Sequence, residues 1–277
     1  MDKAVILCVF DFVSFHVCKA LLEKGVEING VTVETTNNGK FLDEKRMEIG
    51  RNANFFELSY QDWIQSADTE ERIILSLYDL YMLYQEDLLK AETFTQSFFT
   101  KVKRMNKGNG KLILIVPRQL LADIEDQGKL TSLSNFVNQV KKFGIEIQII
   151  NLPTMYGPWQ PETFIFQHSI LENLNRGTMF KGIREETEDA LYIEDALKVI
   201  VELIESEKTG DFLLKNSVEG QWNQCASFLQ LNVDRFSNKK NDREVEKEVI
   251  KIEVKNSIDV SDGLKKQIEL TERLYER

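Results

Sequence analysis

Glycine is missing from the opening of the chain. Gly25 is the first one, although an apolar run at Val5, Ile6 and Leu7 and an amphipathic segment with Val13, Val17, Ala20 and Leu21 on one face come before it. A second apolar run through Val31 and Val33 follows, so Ala4 to Glu34 reads as strand, turn, helix, turn, strand, the first crossover of a parallel sheet. The turn after such a first strand is where a dinucleotide pyrophosphate rests on helix amides, with glycines allowing close backbone approach. Neither G-x-G-x-x-G nor G-x-x-G-x-x-G occurs there, which excludes the ordinary phosphate loop.

Other scarcities exclude whole classes of protein. Cys8, Cys18 and Cys225 are odd in number and far apart, which fits reduced thiols and no disulfide framework. His16 and His168 are the only histidines and neither lies close to a cysteine, so no metal site is expected. No uncharged apolar run approaches the roughly 20 residues of a membrane span. Asp11, His16 and Lys19 interrupt the apolar N-terminus, no small-residue cleavage site follows, and a cytoplasmic protein is expected. The net charge of −10 speaks against a nucleic-acid surface, and the cluster Lys101, Lys103, Arg104 and Lys107 reads as the cationic end of a helix.

What is present is the composition of a soluble globular protein, 42% hydrophobic and 29% charged over 277 residues, enough for one large α/β domain or a main domain with a lobe. After a polar loop and a charged segment ending near Arg51, strands are expected at Phe55–Leu58, Arg72–Leu77, Lys111–Val116 and Ile145–Leu152. Helices are expected over about 85–105 and 130–143, where apolar residues recur every three to four positions. Strands and helices alternating in this way predict a doubly wound, Rossmann-like parallel sheet with a small C-terminal α/β lobe. Residues 1–155 would form the Rossmann-like domain, completed by 190–216, with 156–189 and 217–277 in the lobe. Val249 to Val254 alternates like an exposed or edge strand.

Four separated stretches resemble one family. Phe12-Val13, His16 and Lys19-Ala20-Leu21-Leu22-Glu23-Lys24-Gly25 resemble the TGxxGFIG…SHLVKALLExG opening of the extended short-chain dehydrogenases/reductases, the NAD-dependent epimerases and dehydratases of nucleotide sugars. Leu152 to Pro158 is similar to that family's RPxNVYGP, Leu191 to Ala196 to its FVYVDDVA, and Ser261 to Lys266 to its closing SLEEGLKK helix. The resemblance places the loop glycines on Cys8, Asp11 and Ser14, and the acidic residue that holds the adenosine ribose on Thr32, with Glu34 two residues on. The catalytic Tyr and Lys fall on Asp126 and Leu130. None of Tyr60, Tyr78, Tyr81, Tyr84, Tyr156, Tyr192 and Tyr275 has a lysine four residues later, and Lys111 to Leu130 contains no Ser, Thr or Tyr. On the substrate side the family's diphosphate-binding Arg becomes Glu188. Pro153, Tyr156, Arg176, Lys181 and Arg184 remain as pocket candidates, with the three cations read as solvated partners of Glu185, Glu186 and Glu188.

The expectation is therefore a degenerate, non-catalytic epimerase/dehydratase-like protein, a pseudoenzyme that needs no cofactor and works by binding a protein partner or a small molecule. Phe10, Phe12 and Phe15 are either ordinary core residues or fillers of the space a nicotinamide nucleotide would take. Two alternatives stand beside it: an NAD(P)-dependent nucleotide-sugar epimerase, dehydratase or reductase with an atypical site, and a silent subunit paired with an active paralogue. The family implies a four-helix dimer interface, and the apolar width of the 85–105 segment, with Leu89 and Phe99 beside the main stripe, predicts a homodimer or heterodimer through 85–105 and 130–143.

Overall fold

The computed structural model describes residues 1–33, 40–67, 72–105, 110–121, 130–177, 182–231 and 249–276. The opening stretch forms β1 (Lys3–Leu7), α1 (Phe12–Glu23) and β2 (Glu27–Thr32), followed by α2 (Leu42–Ile49), β3 (Phe55–Ser59) and α3 (Tyr60–Gln65). Next come β4 (Arg72–Ser76), α4 (Leu77–Met82), a 3-10 turn at Glu86–Lys90, α5 (Glu92–Met105), β5 (Lys111–Pro117), a 3-10 turn at Arg118–Leu121 and α6 (Thr131–Lys142). The rest is β6 (Ile147–Leu152), β7 (Thr154–Tyr156), α7 (Ile165–Asn173), β8 (Ala190–Tyr192), α8 (Ile193–Glu205), β9 (Gly210–Asn216), α9 (Gln221–Phe228), β10 (Ile250–Val254) and α10 (Val260–Tyr275).

Eight strands pair in parallel in the order β10-β9-β6-β5-β4-β1-β2-β3, and β7 and β8 form a separate parallel pair. This is a Rossmann-like α/β fold. The central strands β1, β4 and β5 are buried on both faces, which is why they read as unbroken apolar runs. Order reverses between β1 and β4, since β2 and β3 continue one way and β5 and β6 the other. A crevice outside the carboxyl ends of those two strands is the ligand position of this architecture.

Several elements differ from expectation. Leu77 does not end β4 but begins α4, because Ser76 caps that helix by accepting a hydrogen bond from the Asp79 amide at 3.1 Å. The 85–105 helix is two pieces, with Ala91 extended at φ −67°, ψ 112° between the 3-10 turn and α5. β6 begins at Ile147, two residues later than the apolar run. β10 lies in the segment expected for the lobe, yet it extends the main sheet beyond β9.

The apolar width of α5 is taken up inside the chain. Phe98 is fully buried and packs on Phe136 of α6 with ring centroids 5.5 Å apart, and Phe99 stacks on Phe136 at 5.2 Å and meets Phe143 in a tilted contact at 5.0 Å. Leu89 is buried as well. The second stripe is an intrachain aromatic seam between α5 and α6, so it no longer argues for a subunit interface on these helices.

A glutamine network ties α10 to the turn after β7. Gln267 accepts from the Gly157 amide at 2.9 Å and donates to Gln160 at 2.7 Å and Gln167 at 2.8 Å. Gly157 sits at φ +140°, and a Cβ there would lie 2.5 Å from Ile193 Cγ2, so only glycine fits. No helix among the described residues is long and apolar enough to cross a membrane.

Candidate functional site

The crevice begins where the chain leaves β1. Cys8 adopts the left-handed region at φ +52°, a conformation that favours glycine, at a position where the family resemblance places one. The backbone of a glycine turn is thus kept while a buried thiol side chain is added, and burial beside Asp11 and Asp79 pushes that thiol well above its ordinary range. Asp11 is the N-cap residue of α1, but its side chain makes no capping hydrogen bond. Burial, then the neighbouring Asp79 charge, raises its carboxyl to about 8, while Lys45 opposes the shift.

Asp79 does the capping instead. Its Oδ1 accepts from the Val13 amide and its Oδ2 from the Ser14 amide, each at 3.0 Å, and Ser14 Oγ donates to Oδ2 at 3.1 Å. Free amides and the dipole at a helix N-terminus favour an anion there, and here the anion belongs to the protein. Asp79 is completely buried, which raises its carboxyl, and these hydrogen bonds together with the Ser76 side chain oppose that rise.

Lys45 of α2 completes the cluster. It is buried, donates to the Phe10 carbonyl at 2.6 Å, and lies 5.3 Å from the Phe15 ring centroid and 5.7 Å from that of Trp159. Burial lowers its ammonium to about 8, and the charges of Asp11, Asp79 and Glu48 resist the fall. A lid of aromatic residues closes the outer side. Phe12 packs on Phe164 at 5.5 Å, Tyr78 on Phe164 at 6.2 Å, and Phe15 on Trp159 at 5.8 Å. His16 Nε2 donates to the Pro158 carbonyl at 2.8 Å, and burial drops this imidazole to about 3, so it is neutral and pins α1 to the lid. Phe10 is half-buried beside Phe55 at 6.4 Å, away from that lid.

The residues that the resemblance aligns with a substrate side form ion pairs. Arg184, expected to be solvated beside Glu185, Glu186 and Glu188, has a side chain only 9% exposed and pairs with Glu86 at 2.8 Å through both terminal nitrogens. Its guanidinium carbon lies 3.6 Å from the Tyr84 ring centroid and 4.8 Å from that of Tyr81. Planar stacking between two rings suits arginine and withdraws it from solvent. Glu188 and Glu186 are instead bridged by Arg118, each at 3.2 Å, at the exit of β5. Glu185, 2% exposed, accepts from the Ile165 amide at 3.0 Å with both carboxylate oxygens and so caps α7; burial raises its carboxyl to about 8.

The remaining expected positions are dispersed. Thr32 donates to the Leu58 carbonyl at 3.2 Å and joins β2 to β3. Pro153 and Tyr156 are core residues, the tyrosine ring 5.6 Å from that of Tyr192, so neither lines an open pocket. Leu130 is buried at the start of α6, and Arg176 is exposed after α7. Asp126, Lys181 and Glu34 lie outside the described residues. Among the described residues no group of three or more His, Cys, Asp or Glu could hold a metal ion.

At the helix N-terminus where this architecture rests a pyrophosphate, the chain's own groups are already in place. Val13 and Ser14 amides already have an anionic acceptor, the Asp11 carboxyl has a buried oxygen with no partner, and a side chain stands at Cys8 where the backbone would approach. An open groove of about 1020 Å³ runs along the outer faces of α1, α8 and α10 and reaches the lid at His16, Pro158 and Trp159. Ala20, Leu197, Val201 and Leu270 line it together with charges of both signs.

Sequence reasoning passed over Asp79 and Lys45, and it read Glu185 as a solvated partner of nearby cations where the structure buries it. Only Asp79 left a local trace, the Ser76-x-x-Asp79 spacing of a helix start. Nothing near Asp79 in sequence indicates that it reaches α1.

No family model matches the chain, and no curated protein matches it either. Solved structures do. A UDP-glucuronic acid 4-epimerase from Bacillus cereus, in complex with UDP-glucuronic acid and NAD, superposes with a TM-score of 0.66 at 16% identity, over 99% of this chain and 100% of that one. A dTDP-glucose 4,6-dehydratase from Bacillus anthracis in complex with NAD gives 0.67 at 11% identity, over 100% and 98%. A UDP-glucose 4-epimerase from Thermotoga maritima with UDP-glucose gives 0.64 at 12%, over 99% of each chain. The chain has the fold of NAD-dependent nucleotide-sugar epimerases and dehydratases along its whole length.

Proposed function

We propose that this protein keeps the epimerase/dehydratase scaffold without its redox chemistry and acts by binding a partner at its surface. The observation that carries the reading is the Asp79 carboxylate on the Val13 and Ser14 amides. An internal anion in that position meets the need that a pyrophosphate would otherwise meet, and a bound dinucleotide would have to displace a buried, multiply hydrogen-bonded side chain. Supporting it are the Phe12, Phe15, Trp159 and Phe164 lid, the Arg184–Glu86 pair and the aligned position Leu130 in place of lysine. With the crevice filled by the chain's own residues, what remains for recognition is the exterior, including the groove beside α1.

The similar structures that contain NAD suggest the rival reading, an enzyme with an atypical site. It would require Asp79 to leave α1 on cofactor binding. Titration calorimetry with NAD+, NADH, NADP+ and NADPH separates the two. No heat of binding is expected at protein concentrations in the tens of micromolar, whereas a micromolar dissociation constant for any of the four overturns the proposal.

A further inference from the structure

β10 ends the sheet, and no strand among the described residues pairs with its outer edge. An open edge strand invites another chain unless charge, proline or a bulge guards it. The five residues are Ile250, Lys251, Ile252, Glu253 and Val254, without proline. Side chains alternate across a strand, so Lys251 and Glu253 share one face, and Ile250, Ile252 and Val254 share the other. Both charged residues are exposed. Along the apolar face, exposure falls from 56% at Ile250 through a half-buried Ile252 to 1% at Val254.

We propose that two copies of this chain associate through β10, antiparallel, with the two-fold axis at Ile252. In that register each Lys251 stands opposite Glu253 of the second copy. Each exposed Ile250 stands opposite a second-copy Val254, which lies at the covered end of its strand. Glu253 already pairs with Lys215 of β9 at 3.5 Å within the chain, so it would lie between two ammonium groups. A two-fold axis perpendicular to the sheet must pass through a residue for opposed side chains to share a face. Centring it on Lys251 or Glu253 sets like charges against each other, and Ile252 is the centre that pairs opposite ones. The other end of the sheet shows the contrast. Glu57, the central residue of β3 and its only charged one, is clasped by Arg46 at 2.7 Å, so no register of self-pairing within that strand sets opposite charges against each other. One edge is guarded and the other is complementary to itself.

The test uses charge reversal at the two exposed positions, where the fold is not at risk. Sedimentation velocity on the full chain should show a dimer at micromolar concentration. Lys251→Glu makes the charged face of β10 all acidic and Glu253→Lys makes it all basic, so each variant alone should self-associate at least about tenfold more weakly, a cost of about 1.4 kcal/mol. Thermal melts matching the wild type confirm that both are folded. An equimolar mixture should recover a heterodimer, because every opposed pair again carries opposite signs. A wild-type protein that stays monomeric, a dimer that survives both single reversals, or a mixture that does not recover overturns the proposal.

Discussion

Glu185 is a carboxyl held behind the first amide of α7, and its pKa of about 8 in the folded chain stands above an ordinary value of 4.5. Between those two values the native state binds more protons than the unfolded one, so this group makes stability fall as pH rises through the window and level off above about 8. The slope for one proton is at most about 1.4 kcal/mol per pH unit. Asp11 and Glu186, both raised to about 8, act with the same sign, so the comparison must be against a variant. Glu185→Gln keeps a carbonyl oxygen for the Ile165 amide and removes the titration. Urea unfolding across the window should show the variant gaining on the wild type as pH rises, and a constant difference would count against a buried, protonated Glu185.

At the scale of elements, α5 and α6 decide between a buried seam and a subunit interface. Phe98 lies between Phe94, with centroids 5.8 Å apart, and Phe136 at 5.5 Å, and it is fully buried without any second chain. Truncation to Ala should therefore cost about 3–5 kcal/mol in chemical denaturation, the range for a large core aromatic. Phe98→Glu should unfold the chain, because a lone carboxylate cannot be solvated there. A folded Glu variant that merely dissociates would restore the helix-mediated dimer. Periodicity made both helices legible, but the partner of each stripe was not. A second stripe on an amphipathic helix looks the same in sequence whether a neighbouring helix of the same chain or of another chain covers it. The β10 edge is the converse case, since its alternation was visible and only the sheet order made it terminal.

For the whole molecule, the proposed function predicts an absence of turnover. Supplied with UDP-glucose or UDP-glucuronic acid and saturating nicotinamide nucleotide, the purified protein should yield no epimerised product and no nicotinamide absorbance change above a protein-free control. Either signal, if it scaled with protein concentration, would mean that the closed crevice opens. The sequence by itself determined the parallel sheet, because buried strands and crossover helices impose apolar runs and a 3.6-residue period that local composition records. A residue's identity is local information, so Cys8, Asp11, Ser14 and Leu130, which the family resemblance aligns with loop glycines and the catalytic lysine, can be read directly. What fills the crevice was decided only in three dimensions. Asp79 meets Val13 and Ser14 across more than sixty positions of chain, as Arg184 meets Glu86 across nearly a hundred. Such pairings depend on strand order and on the turn each chain segment makes as it leaves the sheet. A carboxylate that caps its own helix and one that seals a distant anion site carry the same letter, and only folding brings the second amide within reach.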